Sequence, residues 1–173
     1  DFVLKNKDTV DTTRIYIGGF SLGGMTTFKM AALYPEMFAA IFPVCPYITV
    51  SNSEASNFAD TPVWLVSGKY DVLVNYSRTQ KNWKTVINTT NIAGQCRFST
   101  LSIVCYPDGT LAPSAHYSWE AVTSDMFSSN NGEYPHMSTV TGTGENVSLT
   151  YPNGMISWLT QFTSNYSIDD IDI

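Results

Sequence analysis

Ser21, Asp71 and His116 are the side chains from which this sequence could assemble a reaction centre. Ser21 lies in Gly19-Phe20-Ser21-Leu22-Gly23, a G-x-S-x-G pattern. The β-prone run Arg14-Ile15-Tyr16-Ile17 precedes it, and Met25, Phe28, Ala32 and Leu33 follow at helical spacing until Pro35. A sharp strand-to-helix turn of this kind holds a serine hydroxyl out at its tip and turns backbone N–H groups toward a substrate. Without partners the pattern also reads as a glycine-rich turn with an incidental serine. A serine nucleophile at neutral pH needs a base to take its proton and an acid to orient that base, and Asp71 and His116 follow in the order Ser, acid, His. The chemistry would be covalent acyl transfer. Ser21 attacks a carbonyl, His116 acts first as base and then as acid, Asp71 fixes the imidazole tautomer, and water releases the acyl group. The backbone N–H of Leu22 would supply one oxyanion donor.

Other residues compete for these roles. His136, in Glu133-Tyr134-Pro135-His136, is the second histidine, but it falls beyond the last sheet strand that the pattern predicts. Asp60 precedes a strand rather than following one, and Asp108 in Pro107-Asp108-Gly109 has turn chemistry. Asp71 also reads as a simple loop cap.

The elements that must position the three residues are legible as strands alternating with helices. Arg14 to Ile17 and Ala39 to Val44 read as strands, with the helix to about Tyr34 between them. Val63-Trp64-Leu65-Val66 is continuously apolar, as in a strand covered on both faces, and runs into the polar loop Ser67 to Asp71. Tyr76, Trp83, Val86 and Ile87 mark one face of a helix, and Phe98 to Val104 reads as a fourth strand before the loop to His116. This alternation predicts an α/β fold with a mainly parallel sheet flanked by helices. Loops at the carboxyl edge of such a sheet converge on one crevice. Ser51 to Asp60 reads as a surface loop, Ser128 to Gly154 as loops with room for a short strand, and Met155, Trp158, Leu159 and Phe162 as a closing amphipathic helix. Asp1 to Asn6 reads as a helix end, and Asp169 to Asp172 as a frayed tail rather than a cation site.

Composition narrows the function classes. The 173 residues are 43% hydrophobic, enough for one real core, and carry a net charge of −6 with nine Lys and Arg. Such a chain lacks the basic face that nucleic acid or anionic lipid requires. No segment reads as a membrane span, no Cys/His spacing suggests zinc, and no cofactor motif is present. Charged residues make up 14%, and a surface polar without being ionic points to secretion. Sequons begin at Asn75, Asn88, Asn146 and Asn165, about as many as an Asn- and Ser/Thr-rich chain produces by chance. Cys96 and Cys105 bracket a strand closely enough for a local disulfide or two free thiols, while Cys45 reads as a small buried apolar residue.

Four segments carry a resemblance. Val10 to Gly24 resembles the nucleophile elbow of α/β-hydrolases of the prolyl-oligopeptidase-like and esterase branches, including feruloyl esterases and polyester depolymerases. Ala31 to Ala40 resembles the helix-to-strand passage after it, Pro62 to Asp71 the acid-bearing segment, and His116-Tyr117-Ser118-Trp119 the histidine loop. The resemblance covers about residues 1–120, with 121–173 as a loop-rich extension, all within one partial domain spanning 1–173. It implies an α/β-hydrolase fold and a serine hydrolase acting on small or polymeric carboxylic esters. Peptidases of the prolyl-oligopeptidase-like class, and a non-catalytic module binding glycans or aromatics through Tyr117, Trp119 and Tyr134, are the alternatives. Phe20, Tyr117 and Trp119 would form the substrate rim, and Gly19 and Gly23 would be the elbow glycines. The resemblance further implies N-terminal strands and a second oxyanion donor ahead of residue 21. This chain therefore reads as the C-terminal half of the fold, completed by a longer precursor or a second chain.

Overall fold

The computed structural model describes residues 6, 8–106, 108–124, 136–149 and 154–166. At its centre is the apolar run seen in the sequence: Trp64–Gly68 (β3) is buried at every position because both faces of the strand are covered. Tyr16–Phe20 (β1), Ala40–Val44 (β2), Arg97–Leu101 (β4) and Met137–Thr141 (β5) complete a sheet in the order β1-β2-β3-β4-β5. The first four strands are parallel and β5 is antiparallel to β4.

The two-residue period of the strands sorts their side chains into two cores. On one face Ile41, Val63, Leu65 and Phe98 pack against Phe28 and Ala31 of Leu22–Leu33 (α1), Ala55 of Asn52–Asn57 (α2) and Val86 of Tyr76–Thr89 (α3). On the other face Val44, Trp64, Val66 and Leu101 meet Ala121 and Val122 of Ser118–Thr123 (α4) and Met155, Trp158 and Leu159 of Met155–Leu159 (α5). The rings of Trp64 and Trp158 cross edge-on at 5.3 Å. The mainly parallel α/β sheet predicted from the sequence is thus the observed architecture.

Several boundaries differ from the sequence reading. The fourth strand ends at Leu101 rather than Val104: the Ser102 N–H still reaches the His136 carbonyl in register with β5, but His136 turns to φ 60° and the pairing goes no further. The stretch read as a loop over Ser51 to Asp60 holds α2, started by a reciprocal capping box. The Ser51 hydroxyl accepts from the Glu54 N–H while the Glu54 carboxylate accepts from the Ser51 N–H. The closing helix is one short turn, and Phe162 lies past its end, although its ring still packs on Trp158 at 5.0 Å. Cys96 and Cys105 form no disulfide. The first is buried just before β4 and the second is half-buried past its end, with the whole strand between them. Residues 1–5, Tyr134 and the acidic tail lie outside the described residues. Among those described, no helix is long and apolar enough to cross a membrane.

Candidate active site

All three candidate residues lie on loops at the carboxyl edge of the parallel strands. Ser21 follows β1 directly and caps α1. Its backbone has φ 56° and ψ −111°, a strained conformation for a residue with a side chain. Two neighbours hold it there: the Ser21 N–H donates to the Val44 carbonyl at 2.9 Å, and its carbonyl accepts from the Tyr47 N–H at 3.2 Å. The turn is possible because Gly19 has no side chain. A Cβ there would stand 2.4 Å from the backbone of Gly23. At Gly23 itself a Cβ would meet no described atom within 4 Å, so closeness is required at the first elbow glycine and not at the second.

Asp71 follows β3 by three residues. Its carboxylate is shielded completely from solvent, yet fully engaged. Oδ1 accepts the N–H groups of Leu73 and Val74, each at 2.8 Å, and Oδ2 stands 2.7 Å from Nδ1 of His116. Because an ionised carboxylate only accepts, His116 donates through Nδ1 and presents Nε2 as the free nitrogen. His116 occupies the short 3₁₀ turn Ala115–Tyr117, which is fixed by the Ser114 hydroxyl accepting the His116 N–H. That turn lies against β3 because position 68 is glycine: a Cβ there would meet the Ala115 carbonyl oxygen at 2.1 Å.

Phe20, adjacent to Ser21, places its ring 4.6 Å from the imidazole of His116. The serine and the His–Asp pair therefore share one corner of the sheet edge. Among the described residues no hydrogen bond joins the Ser21 hydroxyl to His116. His136 pairs with no acid there. It lines a separate open cleft of about 540 Å³ with Lys69, Tyr76, Gln80 and Thr100. Asp108 caps its own turn by accepting from Thr110, and Asp60 accepts from Asn91, so neither of the competing acids faces His116.

The model of the phospholipase/carboxylesterase family of α/β-hydrolases matches residues 3–104. This chain belongs to that family. It is 30% identical over 84 residues to a bifunctional acetylxylan esterase/xylanase of Neocallimastix patriciarum, a stretch covering 47% of the chain and 12% of that protein. Among solved structures it is similar to a thermostable esterase, at 29% identity and a TM-score of 0.49 over 57% of this chain and 26% of the other. It is also similar to Arabidopsis thaliana SOBER1, at 20% identity and a TM-score of 0.46 over 57% and 48%. The chain spans about an eighth of that curated relative and between a quarter and a half of these structures.

The residues read as a substrate rim divide in the structure. Tyr117 is exposed and meets Tyr106 edge-on, whereas Trp119 packs partly buried against the Trp64 core and Phe20 lies against His116. Leu22 is exposed at the first position of α1, where its N–H belongs to the helix donors with no partner in the ladder. The sequence reading missed one participant. Cys45 is buried as expected, but its sulfur, an Asp71 oxygen and a His116 nitrogen all lie within 4.8 Å of one another. Burial, before any other influence, pushes the thiol up to about 12, so it is a neutral S–H at physiological pH. Thiol, carboxylate and imidazole are metal-ligand types, but a protonated sulfur beside an already paired Asp and His is a poor donor set. The only cue in the sequence was that Cys45, like Ser21, immediately follows a parallel strand.

Proposed function

We propose that Ser21, His116 and Asp71 act as a catalytic triad hydrolysing carboxylic esters through an acyl-enzyme. The observation that carries this reading is the 2.7 Å contact between His116 Nδ1 and the buried Asp71 carboxylate, beside a strained serine at the start of a helix. Family membership supports ester chemistry. In this reading Nε2 of His116 takes the proton from the Ser21 hydroxyl and later delivers it to the leaving alcohol, while Asp71 stabilises the imidazolium. The Leu22 N–H faces the oxyanion, at the positive end of α1. Tyr47, Tyr70, Leu73 and Tyr117 are exposed on the surrounding loops and favour an ester with an apolar or aromatic part.

The substrate class we propose is acyl groups on a polysaccharide, supported by likeness to an acetylxylan esterase and by a surface low in charge, which also suits an extracellular setting. β1 has one neighbouring strand among the described residues, and we assign its outer neighbour and the second oxyanion donor to a further part of the whole protein. Labelling of the full-length protein with a fluorophosphonate, mapped by mass spectrometry, tests the reading. An adduct on Ser21 that disappears in His116→Ala is the expected result, together with cleavage of p-nitrophenyl esters and not of peptide anilides. Labelling elsewhere, or turnover surviving in Ser21→Ala, overturns it.

A further inference from the structure

Cys45 stands where the loops of the proposed triad meet. It is fully buried, and its φ of 43° is one of only three positive values at non-glycine positions among the described residues; Ser21 is another. Such a conformation costs of order 1–3 kcal/mol and persists where the surroundings impose it. Here the restraints are specific. The Cys45 N–H donates to the Val66 carbonyl at 2.9 Å, and the residues on either side, Val44 immediately before it and Tyr47 two positions after, grip Ser21 through Val44 O and Tyr47 N. The side chain points the other way, into the space shared with Asp71 and His116. There the sulfur lies within 4.8 Å of an Asp71 carboxylate oxygen and of a His116 ring nitrogen, and as a neutral thiol it carries a proton it can turn to that oxygen. One residue thus joins the backbone that strains the serine to the carboxylate that orients the histidine.

We propose that Cys45 is a positioning residue for ester hydrolysis: its S–H is a further donor on Asp71 and its strained turn sets Ser21 in register with His116. The inference rests on the triad reading above. A buried, protonated thiol has neither the thiolate nor the access needed to act as a nucleophile, so its contribution is geometric. The carboxylate oxygens have about four acceptor sites, and with Leu73, Val74 and His116 three of them are filled. Cys45 supplies the fourth and leaves the buried charge fully solvated by fixed donors. Without that donor the carboxylate keeps three partners rather than four, with Oδ2 held by His116 alone, and the direction of His116 toward Ser21 is less tightly fixed.

The test uses Cys45→Ala, Cys45→Gly and Cys45→Ser in the full-length protein, with Ser21→Ala alongside. Alanine removes the donor on an unchanged backbone, and glycine removes it while accepting the positive φ without strain. Serine keeps a donor. The expected result is a kcat for p-nitrophenyl acetate lowered about tenfold in the alanine and glycine variants. KM stays within about twofold, fluorophosphonate labelling of Ser21 slows in parallel, and serine recovers kcat to within about threefold of the wild type. Wild-type kcat in the alanine or glycine variant, with Ser21→Ala inactive, overturns the role of Cys45 and leaves the triad standing. A loss that serine does not rescue overturns the donor role in favour of packing volume. Turnover by Ser21→Ala removes the triad itself, and the inference with it.

Discussion

Replacing Gly68 by alanine should disable the site without touching any reacting group. The added Cβ would lie 2.1 Å from the Ala115 carbonyl oxygen, 2.6 Å from its carbonyl carbon and 2.7 Å from its Cβ. Ordinary contact begins near 3.4 Å, so either β3 or the Ala115–Tyr117 turn must move by more than 1 Å. β3 lies between two parallel neighbours, each hydrogen-bonded to it, and is the stiffer of the two. The turn therefore gives way, and it carries His116. A shift of that size separates Nδ1 from the Asp71 oxygen now 2.7 Å away. Misplacement of a reacting group by about 1 Å costs on the order of 100-fold in rate, and overpacking costs about 1–3 kcal/mol in stability. Measured as kcat/KM on p-nitrophenyl acetate and by urea unfolding of the full-length protein, Gly68→Ala should show both effects. Gly94→Ala, where a Cβ meets no described atom within 4 Å, should show neither. A Gly68→Ala enzyme with kcat/KM within threefold of wild type would refute the argument that this glycine sets the position of His116.

Three further outcomes follow from described contacts. Titration with a thiol reagent should find three thiols per chain after unfolding, and in the native protein the half-buried Cys105 should react ahead of the two buried cysteines; a count of one would restore the disulfide. Thr79 carries a fully buried hydroxyl with no hydrogen-bond partner among the described residues, so Thr79→Val should stabilise the protein by about 1 kcal/mol in chemical denaturation, and destabilisation would show that the hydroxyl is paired. Glu54 is drawn down to about 2 by Lys29, first, and by the Ser51 donors. A lowered carboxylate pKa stabilises the fold above the unfolded value near 4.3 and loses that effect as pH falls toward 2. Because Glu54 and Lys29 are partly solvated, Glu54→Gln should cost only about 1 kcal/mol at pH 7 and nothing near pH 2, and a cost independent of pH would refute the assignment.

The sequence made legible what depends on local chemistry. Val63 to Val66 announced the central strand because a strand covered on both faces has no need of alternation, and Gly19-Phe20-Ser21-Leu22-Gly23 announced the turn because its backbone leaves no room for a side chain at position 19. The pairing of Asp71 with His116 followed from placing each after a parallel strand, since topology brings such loops together. What escaped detection depends on neighbours distant in sequence. Cys45 looked like any small apolar residue, since its partners Asp71 and His116 are 26 and 71 positions away. Trp119 and Phe20 carried no sign of which way they turn, and the structure spends them on the core and on His116 rather than leaving both to solvent. The end of β4 is set by its partner strand, where His136, 34 residues away and opposite Ser102, turns to a positive φ. α2 is different, because its signal was present: Ser51 and Glu54 have capping-box spacing, masked by a polar composition that resembled a loop.

The far end of the described chain returns to its start. Tyr16 donates its hydroxyl proton to the Phe162 carbonyl at 3.0 Å, and the Ser164 N–H donates to the Thr13 carbonyl at 2.7 Å. Positions 13 and 164 are therefore spatial neighbours, although 151 residues of chain separate them. These two bonds tie the segment leading into β1 to the segment that follows α5, so a pull on either one is passed to the other and to the strand that ends at Ser21. The late segment therefore braces the first strand from behind, at the end opposite the proposed triad.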